Sequence, residues 1–186
     1  MTEDQIKQEL EIINQAKNDK QVFGLLYEKY FTRIYYFIFR QTDDEDVAGD
    51  LCSQTFLNAL NKISTYEFRG FPFSAWLYKI AANEVNKYYR KNKRSKIFSI
   101  EELKIKELAE QADIGWDEDL IKKLIEFMKD LPTEMVQVLE LRFYEDRNFS
   151  EIAYILDITE SGAKMRTYRA LDQLRKRFNI KIKYHG

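Results

Sequence analysis

Residues 150–174 read SEIAYILDITESGAKMRTYRALDQL, and the periodicity of this stretch decides the fold of the C-terminal third. It predicts two helices, from about Ser150 to Leu156 and from Glu160 to Phe178, joined by Asp157, Ile158 and Thr159. A turn of three or four residues between short helices is the signature of a helix-turn-helix. Ile152, Ala153, Leu156 and Ile158 are placed to pack inward. On the second helix Ala163, Thr167, Ala170, Leu171 and Leu174 fall at i, i+4, i+7, i+8 and i+11, which makes one buried stripe. Thr159 is of a residue type that caps a helix N-terminus. The opposite face carries Glu160, Ser161, Lys164, Met165 and Tyr168, flanked by Arg166 and Arg169. A helix in the major groove needs such a face, with cations for phosphates and polar or aromatic tips for base edges. From spacing alone, an ordinary helical hairpin with a solvated basic face fits equally well.

Helical periodicity continues upstream. Leu120, Leu124, Phe127, Met128 and Leu131 recur at helical spacing, Pro132 suits the first turn of the next helix, and Val136, Leu139, Leu141 and Phe143 follow before a polar turn at Glu145 to Asn148. Ser95 to Asp119 is mixed and acidic, and reads as a linker with a helical stretch around Glu101 to Gln111. Further upstream the apolar sets Ile6, Leu10, Ile13, then Phe23, Leu26, Tyr27, Tyr30, then Ile34, Tyr35, Ile38 are again helical. A polar break at Thr42 to Glu45 precedes a helix from about Asp46 to Ile63. The loop candidate Ser64 to Ser74 contains Gly70 and Pro72, and a helix from about Ala75 to Arg94 follows. Six Gly and two Pro in 186 residues are too few for the turns of a strand-rich fold. The expected fold class is therefore all-α, with two small helical domains, 1–94 and 119–186, joined by an acidic linker over 95–118.

The net charge of −1 argues against a chain that holds DNA tightly by itself, but the charges are unevenly placed. Lys79 to Lys96 carries seven cations against Glu84, and Lys164 to Lys183 carries eight against Asp172. Between the two patches, residues 95–130 hold ten acidic and six basic side chains. Cys52 is the single cysteine, so no internal disulfide forms, and His185 is the single histidine, so no Cys/His zinc cluster exists. No metal or cofactor is expected, and a reduced, cytoplasmic setting is the simplest reading. The polar stretch Met1 to Lys20 is not a signal peptide, and the longest apolar run, Ile34 to Phe39, is too short to enter a bilayer as a span.

The helix from Ala75 carries a second functional face. Leu77, Ile80, Ala81, Val85 and Tyr88 make its inward stripe, while Trp76, Lys79, Asn83, Asn86, Lys87 and Arg90 share the other side. An aromatic for stacking, amides for base edges and cations for phosphates suit single-stranded DNA. The preceding loop, Tyr66-Glu67-Phe68-Arg69-Gly70-Phe71-Pro72-Phe73, is crowded with rings, and Phe68 and Phe71 are candidates to hold an unpaired base. Rings that merely close the core under a loop would read the same way.

The order of residues is more specific than the faces. Leu131-Pro132, Val138-Leu139-Glu140-Leu141-Arg142-Phe143, Phe149-Ser150-Glu151-Ile152-Ala153 and the run from Lys164 to Arg175 resemble the fourth region of bacterial sigma factors. Asp50 to Ala59, Phe73 to Asn83 and Tyr88 to Lys91 resemble the second region. The two in this order, with only a linker between, are similar to the extracytoplasmic-function group. The resemblance implies a non-enzymatic subunit that binds core RNA polymerase and directs promoter recognition and melting. It implies that Lys164, Met165, Tyr168 and Arg169 contact the minus-thirty-five promoter element, and the position of Arg166 on the helix adds it to the same DNA-binding set. It likewise implies that Trp76, Lys79, Asn83, Lys87, Arg90 and the Phe68–Phe71 loop hold the melted minus-ten strand, with Asn83 reading a flipped base. Asp46, Asp50, Ser53 and Gln54 are implied to dock on the polymerase clamp, and an anti-sigma factor is implied as a possible partner. Ser53 and Gln54 stand where the family often has Gln and Glu; Asp157 stands where it usually has Gly, and Gly162 where it has Thr. Gly162 inside a first helical turn, with the small Ala163 and Thr167 beneath, predicts a helix-turn-helix less stable than is usual.

A self-standing helix-turn-helix regulator, binding duplex DNA without polymerase, is the alternative. A serine recombinase would need a strand-rich catalytic domain, for which the N-terminal half has no alternating pattern.

Overall fold

The computed structural model describes residues 3–92, 118–129 and 131–177. The expected linker, with its helical stretch around 101–111, lies outside the described residues but for Glu118, and so do residues 93, 94 and 178. No strand occurs among the described residues. The chain divides into two compact units between residues 95 and 96.

The first unit contains α1 (Glu3–Asn18), α2 (Phe23–Thr42), α3 (Glu45–Lys62), a 3-10 turn (Ile63–Thr65) and α4 (Phe73–Asn92). On α2, Phe23, Leu26, Tyr30, Ile34, Phe37 and Ile38 are buried along one face. The helix stops at Asp43, whose left-handed φ of 50° turns the chain while its N–H donates to the Phe39 carbonyl at 2.8 Å. Asp44 then caps α3 by accepting the Val47 N–H at 3.1 Å. Two adjacent aspartates thus make the corner, one tolerating the left-handed conformation and one capping. The buried side of α3 is Ala48, Cys52, Thr55, Phe56 and Ala59, mostly small residues, which lets its neighbours approach closely.

The deepest helix is α4. Phe73, Ser74, Ala75, Leu77, Tyr78, Ile80, Ala81, Ala82 and Val85 are all buried, more than the single stripe the periodicity predicts, while Tyr88 is only half-buried. It begins at Phe73 rather than Ala75 because the Pro72 carbonyl already accepts the Ala75 N–H at 2.9 Å. Tyr78 lies edge-on to Phe37 at 4.9 Å, and the Tyr89 hydroxyl donates to the Gln41 carbonyl at 2.6 Å, tying α4 to the end of α2. Emptying a position such as Phe37 would cost about 3–5 kcal/mol. Glu9 on α1 is buried, and it accepts from the Lys29 ammonium at 2.6 Å and from the Tyr30 hydroxyl. A carboxylate out of water needs such partners, and here they pin α1 to α2.

The second unit contains α5 (Glu118–Lys129), α6 (Thr133–Leu139), a π-helical segment (Glu140–Tyr144), α7 (Phe149–Leu156) and α8 (Glu160–Arg177). Leu124, Met128, Leu131, Val136, Leu139, Phe143, Ala170, Leu171 and Leu174 form its core cluster. Pro132 is extended, with ψ 141°, and stands just ahead of α6 instead of inside its first turn. The π-helical segment, where the Glu145 N–H reaches back to the Glu140 carbonyl at 3.2 Å, widens the chain by one residue and leaves Glu140, Leu141 and Phe143 all buried.

A reciprocal cap opens α7. The Asn148 side chain accepts the Glu151 N–H at 2.8 Å and the Glu151 carboxylate accepts the Asn148 N–H at 3.2 Å. The Arg147 guanidinium reaches the other Glu151 oxygen at 3.0 Å, and Arg142 donates to the Arg147 carbonyl at 3.1 Å. Of the α7 residues expected inside, Ile152 is buried and Ala153 and Leu156 are half-buried; Ile155 takes the remaining buried place. Asp157 ends the helix at a left-handed φ of 59°, where its N–H and that of Ile158 both meet the Ala153 carbonyl. Thr159 caps α8 by accepting the Gly162 N–H at 3.0 Å, and all five residues of the expected stripe, Ala163, Thr167, Ala170, Leu171 and Leu174, are buried.

Candidate nucleic-acid interfaces and docking face

Burial of the α8 stripe forces its other side outward. Met165 is 51% exposed and Tyr168 61%, large apolar tips presented to solvent. Lys164 and Arg169 are exposed beside them, and Arg166 is half-buried. Ser161, Lys164, Met165, Tyr168, Arg169 and Asp172 line a shallow hollow on this face. The Lys164 ammonium pairs with Glu160 at 3.1 Å, both side chains half exposed, so water screens the pair and a phosphate can displace it at little cost. Phe149, on α7, lies close to this face; the sequence places it in the region-four resemblance without a role of its own. The Arg142 guanidinium sits 5.3 Å from its ring centroid, the Lys164 ammonium 5.8 Å, and the Tyr168 ring 6.4 Å. Both cations lie within cation–π range of this ring, an attraction that holds them near the exposed face.

On the first unit, α4 turns Asn83, Asn86, Lys87 and Arg90 to solvent, with Lys79 half-buried on the same side. Trp76 is not a free ring. It is half-buried, 5.1 Å from Tyr66 and 5.3 Å from Phe73, so its indole is braced by two rings from beneath. The bracing orients the remaining indole surface for stacking at low entropic cost. In the loop before α4, Phe68 is 45% exposed and Phe71 half-buried, and Gly70 adopts φ 80°, a conformation that a side chain would strain. The structure therefore gives the two loop rings unequal roles: Phe68 is presented, Phe71 partly packed.

A groove beside this face joins α3 to α4. Asn58 and Lys62 from α3 face Asn83, Glu84, Asn86, Lys87 and Arg90 from α4, with Ile80 at the base. Glu84 is buried, and one of its oxygens accepts both the Asn58 amide at 3.0 Å and the Lys87 ammonium at 2.7 Å. Asn58, Lys62 and Glu84 carry no sign of this groove in the sequence; an acid within a basic run reads as a solvated exception, and only the packing of α3 on α4 buries it.

The third face is on α3. Asp46, Asp50, Ser53 and Gln54 are all exposed, as expected, and Leu57 extends them at 50% exposure. Alongside on α2, the rings of Tyr27, Phe31, Tyr35 and Phe39 follow one another at 5.1, 6.0 and 6.1 Å. Burial, followed by the nearby Glu45 carboxylate, pushes the Tyr35 phenol up. An acidic stripe thus borders an aromatic ladder, a face that fits a basic, partly apolar surface. No group of three or more His, Cys, Asp or Glu suited to a metal occurs among the described residues, and no described helix is long and apolar enough to cross a membrane.

Comparison with known proteins follows the same division. Residues 26–95 match the model of Sigma-70 region 2, and residues 127–176 match that of Sigma-70, region 4. The chain is 29% identical over 168 residues to the ECF RNA polymerase sigma factor BldN of Streptomyces coelicolor, a match covering 89% of this chain and 64% of that one. It is 27% identical over 160 residues to the ECF RNA polymerase sigma factor SigM of Bacillus subtilis, covering 83% of this chain and 93% of that one. Among solved structures, CnrH in complex with the cytosolic domain of CnrY has the same fold, with a TM-score of 0.63 at 18% identity over 92% of this chain and 97% of that one.

Proposed function

From the premise that the chain belongs to the extracytoplasmic-function group of sigma factors, we propose how its own residues divide the work of promoter recognition and melting. Core RNA polymerase docks on Asp46, Asp50, Ser53, Gln54 and Leu57. The exposed tips of α8, Lys164, Met165, Tyr168 and Arg169, with Arg166 beside them, enter the major groove of the upstream element. Trp76, Lys79, Asn83, Lys87, Arg90 and Phe68 hold the unpaired strand downstream, and Phe71 supports the loop from beneath. The two segments 1–94 and 119–186 act as separate binding domains with 95–118 as tether. None of these steps is chemical; the chain binds and positions, and the polymerase makes the bonds. The cytoplasm, where polymerase works, is the proposed location. The acidic and aromatic face of α3 and α2 is also the one we infer an anti-sigma protein would cover, since occupying it blocks polymerase.

The observation that carries this reading is the braced Trp76 with Asn83, Lys87 and Arg90 exposed along one side of α4. A duplex-only regulator needs the α8 face but has no use for a stacking ring in line with amides and cations on a second unit. Permanganate footprinting tests it. Thymines near the minus-ten element become reactive only when chain and core polymerase are both present, and Trp76→Ala removes the reactivity while upstream protection persists. Thymines opened equally well by the Trp76→Ala chain would refute the assignment.

A further inference from the structure

Glu84 is the one acidic residue within the cationic stretch from Lys79 to Lys96, and it is buried against α3. A carboxylate in that position opposes strand binding by simple charge. Its geometry gives it another use. One oxygen takes the Asn58 amide at 3.0 Å and the Lys87 ammonium at 2.7 Å, so Glu84 fixes an α3 side chain and an α4 side chain with respect to each other. Around that junction lies the groove lined by Asn58, Lys62, Asn83, Asn86, Lys87 and Arg90. Amides and cations face each other across it, the combination that reads base edges and neutralises phosphates.

We propose that Glu84 is a positioning residue that extends the single-strand path from α4 onto Asn58 and Lys62 of α3, and that it lowers affinity for any strand in exchange for discrimination between strands. This rests on the function proposed above. Lys87 held by Glu84 is a weaker and more directional phosphate contact than a free lysine, whose ammonium reaches a phosphate of any sequence. With Asn58 held as well, the groove has a defined shape before the strand arrives, and a preorganised amide distinguishes bases where a mobile one does not. Glu84→Gln removes the charge while keeping an oxygen able to accept from Asn58, so it separates charge from shape.

The test uses holoenzyme reconstituted from core polymerase and the full chain. Fluorescence anisotropy is read on two labelled probes, oligothymidine of fifteen nucleotides and the fifteen-nucleotide strand that wild-type holoenzyme itself enriches from a random pool. Glu84→Gln is expected to bind oligothymidine about fivefold tighter, as one half-exposed charge contact gives. Its log–log salt slope steepens by about 0.7, one additional phosphate contact on a single strand. The ratio of enriched-strand to oligothymidine affinity falls. Asn58→Ala and Lys62→Ala weaken binding to the enriched strand, and Lys62→Ala makes the slope shallower. A merely structural Glu84 would lower the melting temperature and leave slope and ratio unchanged; that result overturns the proposal, as does wild-type affinity in both α3 variants. A wild-type holoenzyme that enriches no strand and treats all probes alike would instead refute the function from which this starts.

Discussion

Gly162→Ala sets two local effects of similar size against each other. Inside a helix alanine is favoured over glycine by about 1 kcal/mol, and on that ground alone the change should stabilise α8. A Cβ at position 162, however, would stand 3.0 Å from Thr159 Oγ1 and 3.9 Å from Ile158 Cβ. That hydroxyl is the cap of the helix, accepting the Gly162 N–H at 3.0 Å, and losing such a cap costs about 1 kcal/mol. To clear the methyl the hydroxyl must withdraw by a few tenths of an ångström, away from the N–H it serves. Gly162→Ala alone is therefore expected to shift stability by less than about 0.5 kcal/mol, far short of the propensity gain. Thr159→Ala alone should cost about 1 kcal/mol. In the Thr159→Ala background, with no hydroxyl to displace, Gly162→Ala should give its full gain of about 1 kcal/mol and restore wild-type stability. The cycle then closes with a coupling of about 1 kcal/mol between neighbours one turn apart. Native-state amide hydrogen exchange, read on Ala170, Leu171 and Leu174, measures all four corners. A gain of the same size in both backgrounds would refute the reasoning, because it would mean the cap does not feel the methyl.

Four further outcomes follow from the structure. Asn148→Ala removes the acceptor of the Glu151 N–H at 2.8 Å and should cost about 1 kcal/mol, whereas Asn148→Ser should stay near wild type; thermal melting compares the two. Burial pushes the Cys52 thiol up to about 12, so the native chain should resist Ellman's reagent at pH 8 and react on unfolding. Because the unfolded thiol ionises near pH 8.5 while the folded one holds its proton, Cys52 should erode stability as pH climbs from there toward 12; urea midpoints that do not fall over that range would count against it. Asp50→Arg, at an exposed position of α3, should change the free chain's stability by no more than about 0.5 kcal/mol yet weaken binding to core polymerase about tenfold. Unchanged capture of core polymerase by that variant would remove Asp50 from the docking face.

Local signals were the legible ones. The α8 stripe, the Thr159 cap and the exposed Lys164, Met165, Tyr168 and Arg169 are properties of one helix and its entrance, so periodicity and residue type sufficed. The α3 acidic stripe was legible for the same reason. What depended on a second element was not. Glu84 looks like a surface acid until α3 packs over it, and Phe149 shows its nearness to Arg142 and Lys164 only once α7 and α8 are packed. The π-helical segment at Glu140–Tyr144 carries no propensity signature; it exists because Leu141 and Phe143 both find burial when the turn widens. Trp76 was expected among the outward residues of α4, and Phe73 one turn back and Tyr66 from outside the helix half-bury it; the Tyr66 contact is one that no spacing within α4 could reveal.

The central claim, that this chain directs polymerase to promoters through two separate DNA-binding faces, is tested most directly by run-off transcription from a pool of promoter fragments with purified core polymerase. Promoter-specific transcripts are expected only when the chain is added. They should fade with Trp76→Ala and Asn83→Ala on one unit and with Lys164→Ala and Arg169→Ala on the other. Core polymerase unaffected by the chain, together with duplex DNA retarded by the chain alone at moderate salt, would contradict it and establish a self-standing regulator in its place.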